Sequence, residues 1–272
     1  MSDKIIDYSF ARFTTAQLHD MGAVAVGRYL TVVNAETEGK LLTRTEAQEL
    51  SAGGIGIVST FEFQATDALG GYQKGKEYAA LAREQHAAAG GPSGRPIYFG
   101  VDFNTPDYAP QLPNTPEHAH AKLGQIAPYF QAINDTLGGP HLTGCYGGYW
   151  VIKRLFEAGL IGLGWQTVAW SGSLRYPRAA MLQNAFFASY DVNEAYIADV
   201  GQWRIGWRPG DQGAGGTPWL PATGVWHKVK PGDTLAALAA AYGTTVQAIV
   251  ALNSTLITNP AHIEVGWNIR IK

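Results

Sequence analysis

Four acids, Asp7, Glu62, Asp102 and Asp191, stand where short β-rich runs end or further strand residues begin. Asp102 closes the run Ile97-Tyr98-Phe99-Gly100-Val101, and Glu62 closes Ile57-Val58-Ser59-Thr60-Phe61, so both carboxyls are expected beside apolar walls. Burial of that kind raises a carboxyl pKa and suits the group to giving up a proton near neutrality. Tyr29, Phe103, Asn104, Tyr146, Trp170 and Gln183 fall at equivalent positions along the chain. Carboxylates supply acid and base, and aromatic faces stack on sugar rings. The combination suits cleavage of a glycosidic bond, in which one group protonates the leaving oxygen and another assists at the anomeric centre. An acid after a strand is equally often an Asx turn or a helix cap. Four of them at strand ends make a purely structural account the weaker one.

Strands and helices that alternate must position these residues. Strands are expected at 4–7, 23–29, 56–62, 95–102, 141–146, 166–170 and 181–183, with helical stretches between most of them. Thr14 with Gln17 and Thr43 with Glu46 have capping-box spacing. Thr115 before Pro116 reads as a cap with proline at the first helical position. Beyond it Ala119, Leu123, Ile126, Phe130, Ile133 and Leu137 form a core-facing stripe, with a kink expected at Pro128. Repeated strand–helix units imply parallel strands. An open nucleotide-binding sheet would carry a glycine-rich turn after its first strand. Here that turn reads Asp7-Tyr8-Ser9-Phe10-Ala11-Arg12, without glycine. The expectation is therefore an α/β fold of the TIM-type (β/α) barrel kind, whose active sites gather at the C-terminal ends of the strands.

Other chemistries fit less well. The chain has 272 residues, and its 20 basic and 22 acidic residues leave a formal charge of −2, against a nucleic-acid partner. No apolar run reaches the ~18 residues of a membrane span, and Met1-Ser2-Asp3-Lys4 leads into no apolar signal core. Cys145 is the single cysteine, expected as a small buried apolar residue, so neither an internal disulfide nor a cysteine-rich metal site can form. His118 and His120 are two apart on an expected helix and point to different faces, which argues against zinc there. No phosphate loop and no Gly-x-Ser-x-Gly occur, and no cofactor or metal is called for.

Residues 209–224 hold five glycines and three prolines, the composition of a linker between a barrel over 1–208 and a small domain over 225–272. In the larger part, Lys40-Leu41-Leu42-Thr43-Arg44-Thr45-Glu46-Ala47, Ile97-Tyr98-Phe99-Gly100-Val101-Asp102, Tyr146-Gly147-Gly148-Tyr149 and Trp165-Gln166-Thr167-Val168-Ala169-Trp170 resemble the glycoside-hydrolase-like domain family DUF1906. That family is related to the glycoside hydrolase family 25 muramidases. The resemblance covers roughly residues 3 to 207 and implies a TIM-type barrel that acts on or binds cell-wall glycan. By position, Asp7 matches the acid after the first strand, Asp102 the first acid of the muramidases' Asp-x-Glu, and Asp191 their late aspartate. Asn104 stands where those enzymes place an acid glutamate, so either Glu62 or Asp102 takes that role, or hydrolysis is weak or absent.

Residues 226–272 resemble a LysM module through His227-Lys228-Val229-Lys230-Pro231-Gly232-Asp233-Thr234-Leu235, Tyr242-Gly243-Thr244-Thr245, Ala251-Leu252-Asn253 and Ile263-Glu264-Val265-Gly266-Trp267-Asn268-Ile269-Arg270-Ile271. A βααβ fold is expected, with Asp233 capping the first helix, Thr244 and Gln247 boxing the second, and Ile249 and Leu252 facing inward. The resemblance implies binding of peptidoglycan or another N-acetylglucosamine-containing glycan. Its groove would lie between Gly232, Asp233, Thr234 and Leu235 on one side and Asn259, Pro260 and Ile263 on the other. The leading expectation is a glycosidase anchored to the wall it cuts. The rivals are a non-catalytic wall-binding protein and a phage virion component. Without a signal core, delivery to the wall would need release through membrane lesions, virion association or a specialised export route.

Overall fold

The computed structural model describes residues 3–207, 226–253, 257, 259–263, 265 and 267–271. The chain divides into two compact units, Met1–Leu220 and Pro221–Lys272. The expected linker at 209–224 lies outside the described residues.

Eight strands close the barrel of the first unit: β1 (Lys4–Asp7), β2 (Ala23–Leu30), β3 (Gly56–Phe61), β4 (Ile97–Val101), β5 (Thr143–Gly147), β6 (Leu163–Thr167), β7 (Met181–Phe186) and β8 (Asp191–Ala195). The barrel confirms the α/β reading, with two changes of detail. The sixth strand lies three residues earlier than expected and leaves Trp170 in the following turn. The eighth strand runs antiparallel to both β7 and β1. Only Phe187–Tyr190 separate it from β7, and a parallel crossover needs a dozen residues or more.

Helices α1 (Thr15–Asp20), α2 (Arg44–Ala52), α3 (Gly71–Ala89), α4 (Ala119–Leu123), α5 (Ile126–Leu137) and α6 (Tyr149–Glu157) pack outside. The Thr14–Gln17 capping box is complete. Thr43 caps α2 by accepting from the Glu46 amide. Thr115 stands at the N-cap of a short 3-10 helix, Pro116–His118, with proline at its start as expected, but makes no capping bond; its hydroxyl bonds His118 Nδ1 at 2.9 Å. The expected kink at Pro128 is absent. The break falls at Gly124, whose φ of 53° ends α4, while Pro128 occupies the first turn of α5, where no backbone donor is needed.

Alternate strand residues face opposite sides. One set packs against the helices: Ile6, Val26, Ile57, Phe99, Val101 and Cys145 belong to the outer core. The other set fills the barrel: Ile5, Ala25, Val58, Tyr98, Trp165 and Met181 form an apolar plug. Two residues further along the same strands come Asp7, Gly27, Thr60, Gly100, Thr167 and Gln183. The plug thus becomes the floor of a polar mouth.

The second unit is the expected βααβ fold: β9 (Trp226–Lys228), α7 (Leu235–Tyr242), α8 (Val246–Leu252) and β10 (Asn268–Arg270), with β9 and β10 antiparallel. Leu235, Leu238, Ile249, Ile269 and Ile271 are buried together, whereas Leu252 is exposed. The caps sit one residue later than expected, at Thr234 and Thr245, each accepting from the amide three residues on. Asp233 is instead bound to His227 Nε2 at 2.6 Å and to the Lys230 amide at 2.7 Å. Gly243 ends α7 in the left-handed region, as the sequence suggests.

Candidate active site

Strand β1 delivers Asp7 to the mouth with only 2% of its surface exposed. Its close approach depends on Gly27 of the adjacent strand, where a Cβ would come within 2.7 Å of Asp7 Cβ and 2.9 Å of the Trp165 ring. Asp7 Oδ2 accepts from Asn193 Nδ2 at 2.7 Å and from Gln183 Nε2 at 3.1 Å. Both amides are oriented by further bonds. Trp165 Nε1 donates to Asn193 Oδ1 at 2.6 Å, and the Tyr146 hydroxyl donates to Gln183 Oε1 at 2.7 Å. The second hydrogen of Gln183 Nε2 goes to Asp191 Oδ2 at 3.1 Å. One amide therefore bridges two carboxylates. Burial, opposed by the bond from Asn193 and reinforced by the charge of Asp191, pushes Asp7 up to about 7. Oδ1, the oxygen not engaged by the amides, is the natural seat of the retained proton.

The inversion of β8 is what brings Asp191 here. Its first residue pairs with Asp7, so the start of β8 lies beside the ends of the parallel strands. Burial also raises Asp191, as does the charge of Asp102.

Glu62 follows β3 on the opposite side of this constellation. Gly100 of β4 leaves it room, since a Cβ there would stand 2.9 Å from Glu62 Oε2. Oε1 accepts from Lys40 Nζ at 2.8 Å, and that ammonium lies 4.4 Å from the centre of the Tyr29 ring. Burial raises the Glu62 carboxyl despite the lysine. Tyr29 is pushed well up, first by burial and then by the charges of Asp7 and Glu62.

Lys40 and its supports were not singled out as site residues by sequence. The signal lay in the run Lys40–Ala47. Thr43 caps α2, and Glu46 in its first turn binds fully buried Arg28 through Nε at 2.6 Å and a second nitrogen at 3.1 Å. Arg28 also donates to the Tyr8 carbonyl at 2.6 Å and the Lys40 carbonyl at 3.4 Å. It thereby fastens the loop after β1 to the turn that carries Lys40. Asn193 was missed as well, because its role follows only from the reversed strand.

Asp102 follows β4, and its Oδ1 accepts from Trp170 Nε1 at 3.1 Å. Its charge acts on both Asp191 and Tyr146, which puts it in the same mouth. The structure thus gathers Asp7, Glu62, Asp102, Asp191, Tyr29, Tyr146, Trp170 and Gln183. It does not gather Phe103, which has the opposite strand parity and packs against the outer core. Asn104 lies exposed beyond the strand. In the second unit, Gly232, Thr234, Asn259 and Pro260 are exposed, Asp233 and Ile263 are half-buried and Leu235 is buried, so that residue supports the loop from below.

Residues 16–215 match the family described as Rv2525c-like, glycoside hydrolase-like domain, and residues 227–272 match the LysM domain. The chain is 31% identical over 213 residues to Rv2525c of Mycobacterium tuberculosis, a candidate peptidoglycan hydrolase by name, over 73% of this chain and 83% of that one. The crystal structure of that Tat-secreted protein with L-tartrate superposes with a TM-score of 0.65 at 29% identity, covering 75% of this chain and 100% of the other. A stretch of 75 residues is 41% identical to an endolysin of Bacillus phage PZA, 28% of this chain and 26% of that protein.

Proposed function

This chain belongs to the Rv2525c-like, glycoside hydrolase-like family and carries a LysM domain behind the barrel, and we propose on that premise that it cuts the glycan of peptidoglycan while the LysM domain holds it to the wall. The observation that carries the reading is the convergence of four acids on one mouth: Asp7 and Asp191 share the Gln183 amide, while Glu62 and Asp102 are held by Lys40 and Trp170. Carboxyl groups that converge on one site are what acid–base cleavage of a glycosidic bond requires.

In this reading Glu62 is the proton donor to the leaving oxygen. Its Oε2 is the available oxygen, Oε1 being held by Lys40, and burial keeps the carboxyl above its ordinary range. Asp102, held by the Trp170 indole N–H, stabilises positive charge developing at the anomeric carbon. Asp7 and Asp191, joined through Gln183, add negative potential to the mouth without both being fully ionised. Tyr29, Tyr146 and Trp170 supply the rings against which a sugar can lie. The names of the relatives, a candidate peptidoglycan hydrolase and an endolysin, support the same substrate and action at the cell wall.

The second reading is a wall-binding protein without hydrolysis. Asn104 favours it, because an amide cannot give a catalytic proton where the related muramidases carry a glutamate. Digestion of purified peptidoglycan with identification of new reducing ends separates the two. Muramic-acid ends mean a muramidase and glucosamine ends a glucosaminidase; no new ends mean the binding protein.

A further inference from the structure

The hairpin of β7 and β8 carries an irregularity that bears on the mouth. Gln183 pairs with Asn193, but Ala185 pairs with Val192 and Phe186 with Asp191, so one extra residue, Asn184, is bulged out. Such a bulge reverses the inward–outward alternation beyond it and re-aims the side chains that follow. Without it Ala185 would oppose Asp191. With it Phe186 does. Directly opposed residues share a face of the ribbon, with Cβ atoms about 4.5–5.5 Å apart. Asp191 faces the mouth, because Gln183 binds it there.

Phe186 is therefore aimed at the mouth, yet 51% of its surface is exposed. Its neighbours on the hairpin are otherwise occupied. Phe187 stacks on Tyr190 at 4.7 Å and 15°, Tyr190 meets Phe13 edge-on at 5.7 Å, and Phe13 meets Tyr8 at 5.1 Å. That chain of rings ties the hairpin tip to the loop after β1. Among the described residues Phe186 has no ring partner, although its backbone is held by a fixed hairpin. A rigid, half-exposed ring beside a carboxylate is costly to leave facing water and has the form of a platform for a ligand that is apolar on one side.

We propose that Phe186 is a sugar-stacking subsite at the rim of the mouth, taking the apolar face of a pyranose ring next to the one held among the four acids. The proposal rests on the glycan-cutting reading for the identity of its ligand, and it adds a position that binds without touching the reacting atoms. Covering half of a phenyl ring contributes enough to make removal cost about five- to tenfold in affinity.

The test uses the full chain and a tetrasaccharide of alternating N-acetylglucosamine and N-acetylmuramic acid. Calorimetric titration of wild type should resolve two sites, one for each domain. In Phe186→Ala one site should weaken about five- to tenfold with the melting temperature unchanged, and Phe186→Trp should restore it. Two sites unchanged within about twofold in Phe186→Ala would overturn the proposal. So would a wild type with a single site, or a Phe186→Ala protein whose only defect is lost binding to vesicles of anionic phospholipid, which would make the tip a membrane contact. Binding is read independently of turnover. A wild type that releases no reducing ends but shows the Phe186 effect would defeat the hydrolase reading and leave the subsite standing.

Discussion

The two sides of the barrel mouth hold their carboxylates in different ways. On the β1–β8 side, Asp7 and Asp191 are served by the neutral amides of Gln183 and Asn193. On the β3 side, Glu62 is served by the ammonium of Lys40. Amides orient a carboxylate without neutralising it, so burial prevails and Asp7 keeps its proton up to about 7. A lysine opposes burial with a full charge. The contrast lies in the charge of the donor rather than in the number of hydrogen bonds: burial raises both Asp7 and Glu62, and at Glu62 a cation opposes it.

Removing the titrating group on the amide side should give the largest effect. Asp7→Asn keeps the shape and can still accept from Gln183 and Asn193. If the mouth works as one electrostatic unit, glycan cleavage should fall about 10²–10³-fold, the worth of one preorganised electrostatic contact. Stability should move the other way. Asp7 has a folded pKa raised from 3.8 to about 7, so its favourable contribution is complete below the lower value and is lost as pH rises through the higher one. The variant should therefore unfold at higher denaturant than wild type at pH 8, by up to about 4 kcal/mol, with the gap closing towards pH 4. Equal stability of the two proteins at pH 8 would remove the contrast between the two sides.

A group outside the mouth sets the opposite limb. His86 is buried between the Ser59 hydroxyl at 2.9 Å and the Pro92 carbonyl at 3.1 Å, and burial lowers it to about 4. Its stabilising contribution is present above pH 6.5 and lost as pH falls to about 4, a span worth about 3 kcal/mol. Chemical denaturation across that range should show the loss, and His86→Gln should flatten it while leaving the alkaline behaviour of Asp7 in place. An unaltered acid limb in that variant would assign the loss to the mouth after all.

On the cationic side, Lys40→Met removes the charge that opposes burial of Glu62. With Glu62 as the proton donor, the alkaline limb of the activity profile should move to higher pH. A profile that does not move would mean that Lys40 only packs against Tyr29. The smallest effect is expected at Trp170→Phe, which keeps a ring and deletes one bond to Asp102. A loss of about three- to tenfold in kcat/KM is the worth of one ordinary hydrogen bond.

Much of this mouth was legible in the sequence because strand parity is. Asp7, Glu62, Asp102, Tyr146 and Gln183 each follow a residue of the interior set by two or four positions, or lie within it, and the apolar runs fixed where the strands end. The same rule, applied strictly, would have excluded Phe103, which is one residue out of phase and packs outward. Lys40 was hidden because its ammonium reaches Glu62 from a turn 22 residues away in sequence. Asn193 and Phe186 were hidden for a different reason: an antiparallel last strand and a one-residue bulge leave no mark on hydrophobic periodicity.

The seam between β1 and β8 has a consequence for the order in which the protein acquires its chemistry. Asp7 lies on the first strand of the barrel, yet the bonds that orient it come from Gln183 and Asn193, which lie 176 and 186 residues later. Contacts of such separation close late, because the entropy of the intervening chain must be lost before they contribute. A nascent chain stopped before β7 has Asp7 without either amide partner and the barrel without its last two walls. The acid mouth is thus a property of the finished fold, and a chain threaded unfolded through an export channel would cross it chemically idle and become competent only when its first and last strands meet on the far side.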